Sequence, residues 1–295
     1  MRSKLVCFFR NLNVSLPAML LAVILCAVCT SKSSAQIVTN NNAMAIDVDS
    51  LRRDFDNQPY FGLYKDNYIV FGSNFPGKRT KSNTDVKIQL SIAQKITRTT
   101  LPFGTYLYLF YTQKLFWNVL QDSSPFYDIN LNPGIGLAKP LFVRNRFIGK
   151  VYLVLEHESN GRDGLESRSW NKLSLGASIM IDPNFVVHGK AWYPMVDGVW
   201  NKDIVKYMGL YQVGLHLYSN NRRFAGSVLL NKRGDWNMLN YNTTIEISYR
   251  IFKSENQYLF LQYYNGYGEG LMDYNKFHTQ IRIGWVIKPR LFSEF

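Results

Sequence analysis

Lys150-Val151-Tyr152-Leu153-Val154-Leu155-Glu156-His157-Glu158-Ser159 decides how the chain is read. Its odd positions carry Val151, Leu153, Leu155, His157 and Ser159, and its even positions carry Lys150, Tyr152, Val154, Glu156 and Glu158. Successive side chains of a strand point to opposite faces, so an alternation of period two reads as a strand. Histidine and serine continue its aliphatic face. A turn-rich loop, Asn160 to Glu166, follows, and Trp170 then opens a second alternating segment. In that segment Asn171 shares a face with Leu173, Leu175, Ala177 and Ile179. A regular antiparallel register places Asn171 opposite or nearly opposite His157.

The same period runs through most of the chain. Strands are expected over residues 68–72, 85–96, 105–114, 127–138, 149–159, 170–180, 185–194, 207–218, 223–230, 240–251, 258–265 and from 277 onward. Pro133 weakens the middle of the fourth, because proline cannot donate to a ladder. Turn clusters separate the segments, among them Asp122-Ser123-Ser124-Pro125, Asn220-Asn221 and Lys232-Arg233-Gly234-Asp235. No helical period survives over comparable length. About twelve strands of roughly ten residues each match what a tilted strand needs to cross a bilayer. An even number of antiparallel strands closes without a free edge, as a membrane demands. The fold class expected is therefore all-β, an antiparallel transmembrane β-barrel of about twelve strands. Phe295 ends the last alternating segment and resembles the terminal aromatic of bacterial outer-membrane barrels. A soluble β-sandwich or lipocalin-like barrel has nearly the same pattern. Lys87, Lys150, Glu156, Glu158, Lys172, Lys190, Glu246 and Arg282 occupy the face opposite the apolar one, and in a soluble fold they face water.

Residues 1–35 read as a secretory signal: Arg2, Lys4 and Arg10 form a basic start, an apolar run follows to Cys29, and Ser33-Ser34-Ala35 marks a cleavage site. Residues 36–58 read as a polar N-terminal segment with a short helical turn over 47–56, and 59–295 as the barrel domain. Cys7, Cys26 and Cys29 all fall in the presequence, so the exported chain has no disulfide and no thiolate metal site. The formal charge is +13, and loss of the presequence leaves 30 basic against 21 acidic residues. Export argues against nucleic acid as the partner of this basic surface, and anionic lipid suits it better. Aromatics make up 15% of residues, a load that fits a membrane-interface girdle.

His157, Ser159 and Asn171 together permit acyl transfer. A serine hydroxyl is a weak nucleophile until an imidazole takes its proton. The imidazole in turn needs a third group to hold its tautomer. Aspartate is the usual one, and asparagine can accept from the ring N–H while stabilising the imidazolium less. Backbone N–H groups of Ser159 and Gly161 are the candidates to receive the oxyanion. His-x-Ser alone is a common pattern. A polar trio on an otherwise lipid-facing surface is not, because it gains nothing structurally there.

His157-x-Ser159-Asn160-Gly161-Arg162 followed by Ser167-Arg168-Ser169-Trp170-Asn171 resembles the active-site signature of the outer-membrane phospholipase A family of Gram-negative bacteria. Tyr111-Thr112-Gln113-Lys114, Ser123-Ser124-Pro125-Phe126, Lys206-Tyr207-Met208-Gly209 and Gly266-Tyr267-Gly268-Glu269 extend the resemblance from about residue 60 to the C-terminus. It implies a twelve-stranded outer-membrane barrel that hydrolyses phospholipid acyl esters, with Ser159 as nucleophile, His157 as base and Asn171 as orienter. It also implies a calcium-dependent enzyme active as a homodimer. The Ca²⁺ ligands it implies are the Arg162 carbonyl, the Ser167 hydroxyl and Ser123 of the partner subunit, and such hard oxygens suit the ion. Gln113 matches a polar residue of the family's dimer interface. Glu158 stands where the family often has aspartate, and it should point inward with little effect. Asp163 and Glu166 are departures in the loop that shapes the metal site. The alternatives are a non-enzymatic barrel, porin-like or structural, and a soluble exported lipase.

Overall fold

Among the described residues, thirteen hydrogen-bonded strands in one antiparallel sheet close the barrel in the computed structural model. They are β1 (Phe61–Leu63), β2 (Asn67–Asn74), β3 (Thr84–Lys95), β4 (Tyr106–Trp117), β5 (Phe126–Val143), β6 (Arg146–Ser159), β7 (Ser169–Asp182), β8 (Phe185–Met195), β9 (Tyr211–Tyr218), β10 (Phe224–Lys232), β11 (Tyr241–Arg250), β12 (Gln257–Gly266) and β13 (His278–Ile287). The residues described are 61–97, 100–143, 146–196, 199–252 and 256–289. The expected secretory signal, the polar segment with its helical turn and the terminal Phe295 lie outside them. β1 and β2 lie along one edge of β3 and form a single stave in two pieces, so the ring has twelve. β13 pairs with β2, which closes it.

The facing of the alternation separates the two fold readings left open by the sequence. Arg282 is 1% exposed while its chain neighbour Ile283 is 62% exposed. Leu90, Leu109, Ile135, Leu153, Leu155, Leu173, Leu175, Val213, Ile247 and Leu259 likewise form an outer aliphatic wall. Charged side chains turn inward and pair. Arg282 binds Asp85 at 2.7 Å and Glu269 at 2.6 Å, and Lys87 reaches Glu269 at 3.0 Å. Lys190 binds Glu156 at 2.8 Å and Lys172 binds Glu158 at 2.9 Å. A soluble protein has the opposite arrangement; a polar interior within an apolar wall is that of a membrane barrel.

Neighbouring strands are all antiparallel, so loops that follow even-numbered strands share one rim. The β12–β13 loop turns back into the barrel there. Its Leu271 and Met272 N–H groups donate to Asn130 Oδ1 at 3.2 Å and Asp128 Oδ2 at 3.0 Å. Leu271 and Tyr274 then pack against Trp170 and Ile204.

Two expectations change in detail. The alternation predicts a strand from residue 207, with Tyr207 on its face; instead α1 (Ile204–Met208) occupies that stretch and the strand begins at Tyr211. Ile204 is fully buried under the loop cluster, and Gly209 ends the helix at φ 72°. A Cβ at Gly209 would lie 1.6 Å from the Lys232 carbonyl oxygen, so only glycine fits. β5 runs unbroken through Pro133 from Phe126 to Val143, because the loss of one donor affects only one edge of the strand.

Candidate active site on the outer wall

β6 and β7 form the hairpin expected from the alternation, and their register sets His157 directly opposite Asn171. Asn160 N–H donates to the Arg168 carbonyl at 3.0 Å, which makes that pair a hydrogen-bonded one. Counting back along the ladder, His157 and Asn171 form a pair without mutual backbone bonds, where side chains approach most closely. His157 Nδ1 and Asn171 Oδ1 are 2.8 Å apart. An amide oxygen only accepts, so Nδ1 carries the proton and Nε2 is left as the basic nitrogen. Ser159 follows two residues later on the same face, half-buried, opposite Ser169. Its hydroxyl has no hydrogen-bond partner among the described residues. Leu155 and Leu173 lie next along the wall.

The inward faces of the same strands support the hairpin. Glu158 accepts from Trp170 Nε1 at 3.0 Å and from Lys172 at 2.9 Å, so it points into the lumen as expected. Asn132 Nδ2 donates to the His157 carbonyl at 2.8 Å from the neighbouring strand.

The loop from Asn160 to Arg168 holds the other candidates. Gly161 is left-handed at φ 66°. Asn160 is buried and serves as its clasp: Oδ1 accepts from Arg168 N–H at 2.9 Å, and Nδ2 donates to the Glu166 carbonyl at 2.8 Å. Arg162 binds the Glu166 carboxylate and donates to the Tyr127 carbonyl at 2.7 Å. One of the two extra carboxylates is therefore engaged within the loop, and Asp163 is exposed. Ser167 is half-buried, and Ser123 is exposed on the β4–β5 loop at φ 63°. Ser123 shares no hydrogen bond with the β6–β7 loop among the described residues. Gln113 is outward on β4, with Tyr111 Oη donating to its Oε1 at 3.4 Å.

Sequence reasoning assigned no role to Asn160, Asn201 or Arg168. Asn201 is fully buried, donates to the Ser169 carbonyl at 2.8 Å and accepts from its N–H at 3.3 Å. Arg168 holds the Leu165 and Ser167 carbonyls at 2.7 and 2.8 Å and lies over the Tyr274 ring. Tyr274 donates to Asp203. Burial and that carboxylate push its phenol above the usual range, so it remains a donor. Asn160 and Arg168 stand in the motif and carry a local signal. Asn201 lies outside any periodic segment and carries none.

The arrangement fits a calcium ion only in part. The Ser167 hydroxyl makes no hydrogen bond among the described residues, and hydroxyl and carbonyl oxygens are ligands that Ca²⁺ takes. Two such oxygens fall short of the six to eight it needs. No cluster of three acidic, histidine or cysteine side chains suited to a metal exists among the described residues.

A family profile for phospholipase A1 matches residues 59–287. Phospholipase A1 of Escherichia coli K12 is 31% identical over 257 residues, which cover 81% of this chain and 85% of that protein. An active-site mutant of outer membrane phospholipase A from E. coli, asparagine to alanine, superposes with a TM-score of 0.68 at 27% identity, covering 83% of this chain and 98% of that one. The Salmonella typhi outer membrane phospholipase dimer with bound calcium superposes with a TM-score of 0.69 at 27% identity, covering 83% and 99%. Barrel, apolar wall and relatives together define an outer-membrane β-barrel ester hydrolase. The chain belongs to the phospholipase A1 family.

Proposed function

We propose that the chain hydrolyses phospholipid acyl esters at the outer wall of the barrel, with Ser159 as nucleophile, His157 as base and Asn171 as orienter. The observation that carries this reading is the 2.8 Å contact between His157 Nδ1 and Asn171 Oδ1 on a surface that otherwise faces lipid. Nε2 takes the Ser159 proton as Oγ attacks the ester carbonyl carbon. The N–H of Gly161, beyond the end of the strand, is the donor best placed for the tetrahedral oxyanion, with the N–H of Ser159, which faces Leu131 across the ladder, available only if that pair opens. Collapse breaks the acyl C–O bond, and the imidazolium returns its proton to the departing lysophospholipid. Water, deprotonated by the same ring, then releases the fatty acid. Asn171 fixes the ring in the tautomer this sequence of steps needs, as the third member of such a constellation does. The substrate's acyl chains lie along Leu155 and Leu173, so the ester meets the serine at headgroup level without entering a pore.

The enzyme is calcium-dependent and acts as a homodimer in this reading. The Arg162 carbonyl, the Ser167 hydroxyl and Ser123 of the partner subunit would hold the ion. When bound, Ca²⁺ supplies positive charge beside the developing oxyanion. These three protein oxygens leave the rest of the six to eight positions of Ca²⁺ to water, which it commonly takes as ligand. The similarity to a calcium-bound dimer supports both points. Residues 1–35 act as the export signal, 36–58 as a polar segment and 59–295 as the catalytic barrel.

Barrel refolded in detergent with Ca²⁺ should release fatty acid from phospholipid, and Ser159→Ala should abolish it. Equal release by the two proteins would sink the assignment and leave a non-enzymatic barrel. Unchanged rates in EDTA would remove calcium while leaving the triad.

A further inference from the structure

The ladder that carries the base has a gap beside it. Asn160 pairs toward β7, so along β6 the odd residues, His157 included, turn their backbone groups toward β5. The β5–β6 register runs from Leu131↔Ser159 to Gly134↔Glu156, which sets Pro133 opposite His157. Proline has no N–H, so the His157 carbonyl lacks its ladder donor. Asn132 Nδ2 takes that carbonyl at 2.8 Å from the lumen side. We propose that Asn132 is a positioning residue for the catalytic base. Its side-chain amide replaces the donor that Pro133 cannot supply, and so holds the backbone from which the ring reaches Asn171. The proposal rests on His157 acting as base.

The test uses refolded barrel at saturating Ca²⁺, with folding checked by heat-modifiable gel mobility. Asn132→Ala should lower kcat about tenfold with KM little changed, because a misplaced base costs rate rather than binding. Adding Pro133→Ala to that variant should restore kcat, since an alanine in place of the proline brings its own N–H to the same carbonyl. Wild-type kcat in Asn132→Ala would overturn the proposal, as would a double variant no better than the single one. Release by Ser159→Ala equal to wild type would instead overturn the active-site reading itself.

The β2–β3 loop, on the same rim as the β6–β7 loop, carries a separate feature. It contains Lys78, Arg79 and Lys81 and no acid. All three are exposed, and none of their side chains has a hydrogen bond or ion pair among the described residues. The loop is held in shape by Asn83, whose Oδ1 accepts from Thr80 N–H at 2.8 Å and whose Nδ2 donates to the Lys78 carbonyl at 2.9 Å. Beneath it lies a cavity of about 620 Å³ lined by Phe71, Ile281, Ile283 and Leu120, with Arg79 and Lys81 at its edge. Basic groups above an apolar wall match a lipid with an anionic phosphate headgroup. We infer that this cavity binds one such membrane lipid, its headgroup at Arg79 and Lys81 and its chains against Phe71 and Ile283.

Native mass spectrometry of Ser159→Ala barrel, which prevents turnover, can compare phosphatidylglycerol with phosphatidylcholine in mixed micelles. Phosphatidylglycerol should be retained about fivefold better, as expected for a cation at a lipid surface. The preference should vanish when Lys78, Arg79 and Lys81 are all changed to Gln. Equal retention of the two lipids, or an unchanged preference in the triple variant, would overturn the inference. Loss of dimer crosslinking in that variant with lipid preference intact would assign the face to a second copy of the chain.

Discussion

Gln113 and Ser159 stand in one lateral row of the outer wall, each paired with Leu131 from opposite edges of β5. A single strand, β5, therefore separates the residue proposed for the dimer contact from the proposed nucleophile. A partner that covers Gln113 also comes up against the active surface. The row below it, Tyr111, Pro133, His157, Asn171 and Met195, puts the proposed base and its proposed orienter on the same wall. Such proximity would give the proposed dimerisation a direct route to the proposed chemistry.

Replacing Gln113 with Leu should weaken the dimer and leave the barrel folded. An amide facing lipid gains from a partner across the interface, and polar contacts of this kind in membranes contribute about 0.6–2 kcal/mol. Crosslinking in detergent should show the dimer fraction falling, with activity falling alongside it. Full activity in a protein that crosslinks only as monomer would refute the coupling.

Asn171→Ala should lower kcat roughly 10–100-fold, less than the ~10⁴ lost when a charged orienter is neutralised, because asparagine supplies orientation without charge. Asn171→Asp should retain more activity than Ala, because a carboxylate accepts from the same Nδ1–H and stabilises the imidazolium. Rates measured at saturating Ca²⁺ separate these variants. An alanine variant at least as fast as the aspartate variant would deny the orienting role.

Asn160→Ala removes a buried clasp that holds both ends of the β6–β7 loop. The loop carries Arg162 and Ser167, so the Ca²⁺ concentration for half-maximal activity should rise about tenfold, equivalent to ~1.4 kcal/mol. Maximal activity should return at high Ca²⁺. A calcium titration that does not move would separate the loop from the ion.

Glu269→Gln leaves Arg282 and Lys87 buried with one carboxylate fewer. Breaking a buried ion cluster from one side costs about 3–5 kcal/mol. The heat-induced mobility shift of the barrel should move to lower temperature. Activity per folded molecule should stay near wild type, since the cluster lies in the lumen.

Period two in segments such as 150–159 and 170–180 makes the strands, their rough number and the shared face of His157, Ser159 and Asn171 legible in the chain itself. Strand geometry allows no other placement of alternate side chains, so these features need only local rules. The stretch at 207–210 reads wrongly as strand because Tyr207 alternates acceptably, while the burial that folds it into a helix comes from residues of the β12–β13 loop. Asn201 and Asn132 are equally out of reach, because each acts on a backbone group brought near by another segment, whereas Asn160 clasps its own loop from within the motif. The direction of the alternation was the largest question left to the tertiary structure. Aliphatic residues on one face and charges on the other describe a soluble sandwich and a membrane barrel alike. Closure of the ring, with Arg282 sealed against Asp85 and Glu269, decided it. Those charges have one another in the lumen, the aliphatic face is left to lipid, and the serine and histidine are left on it.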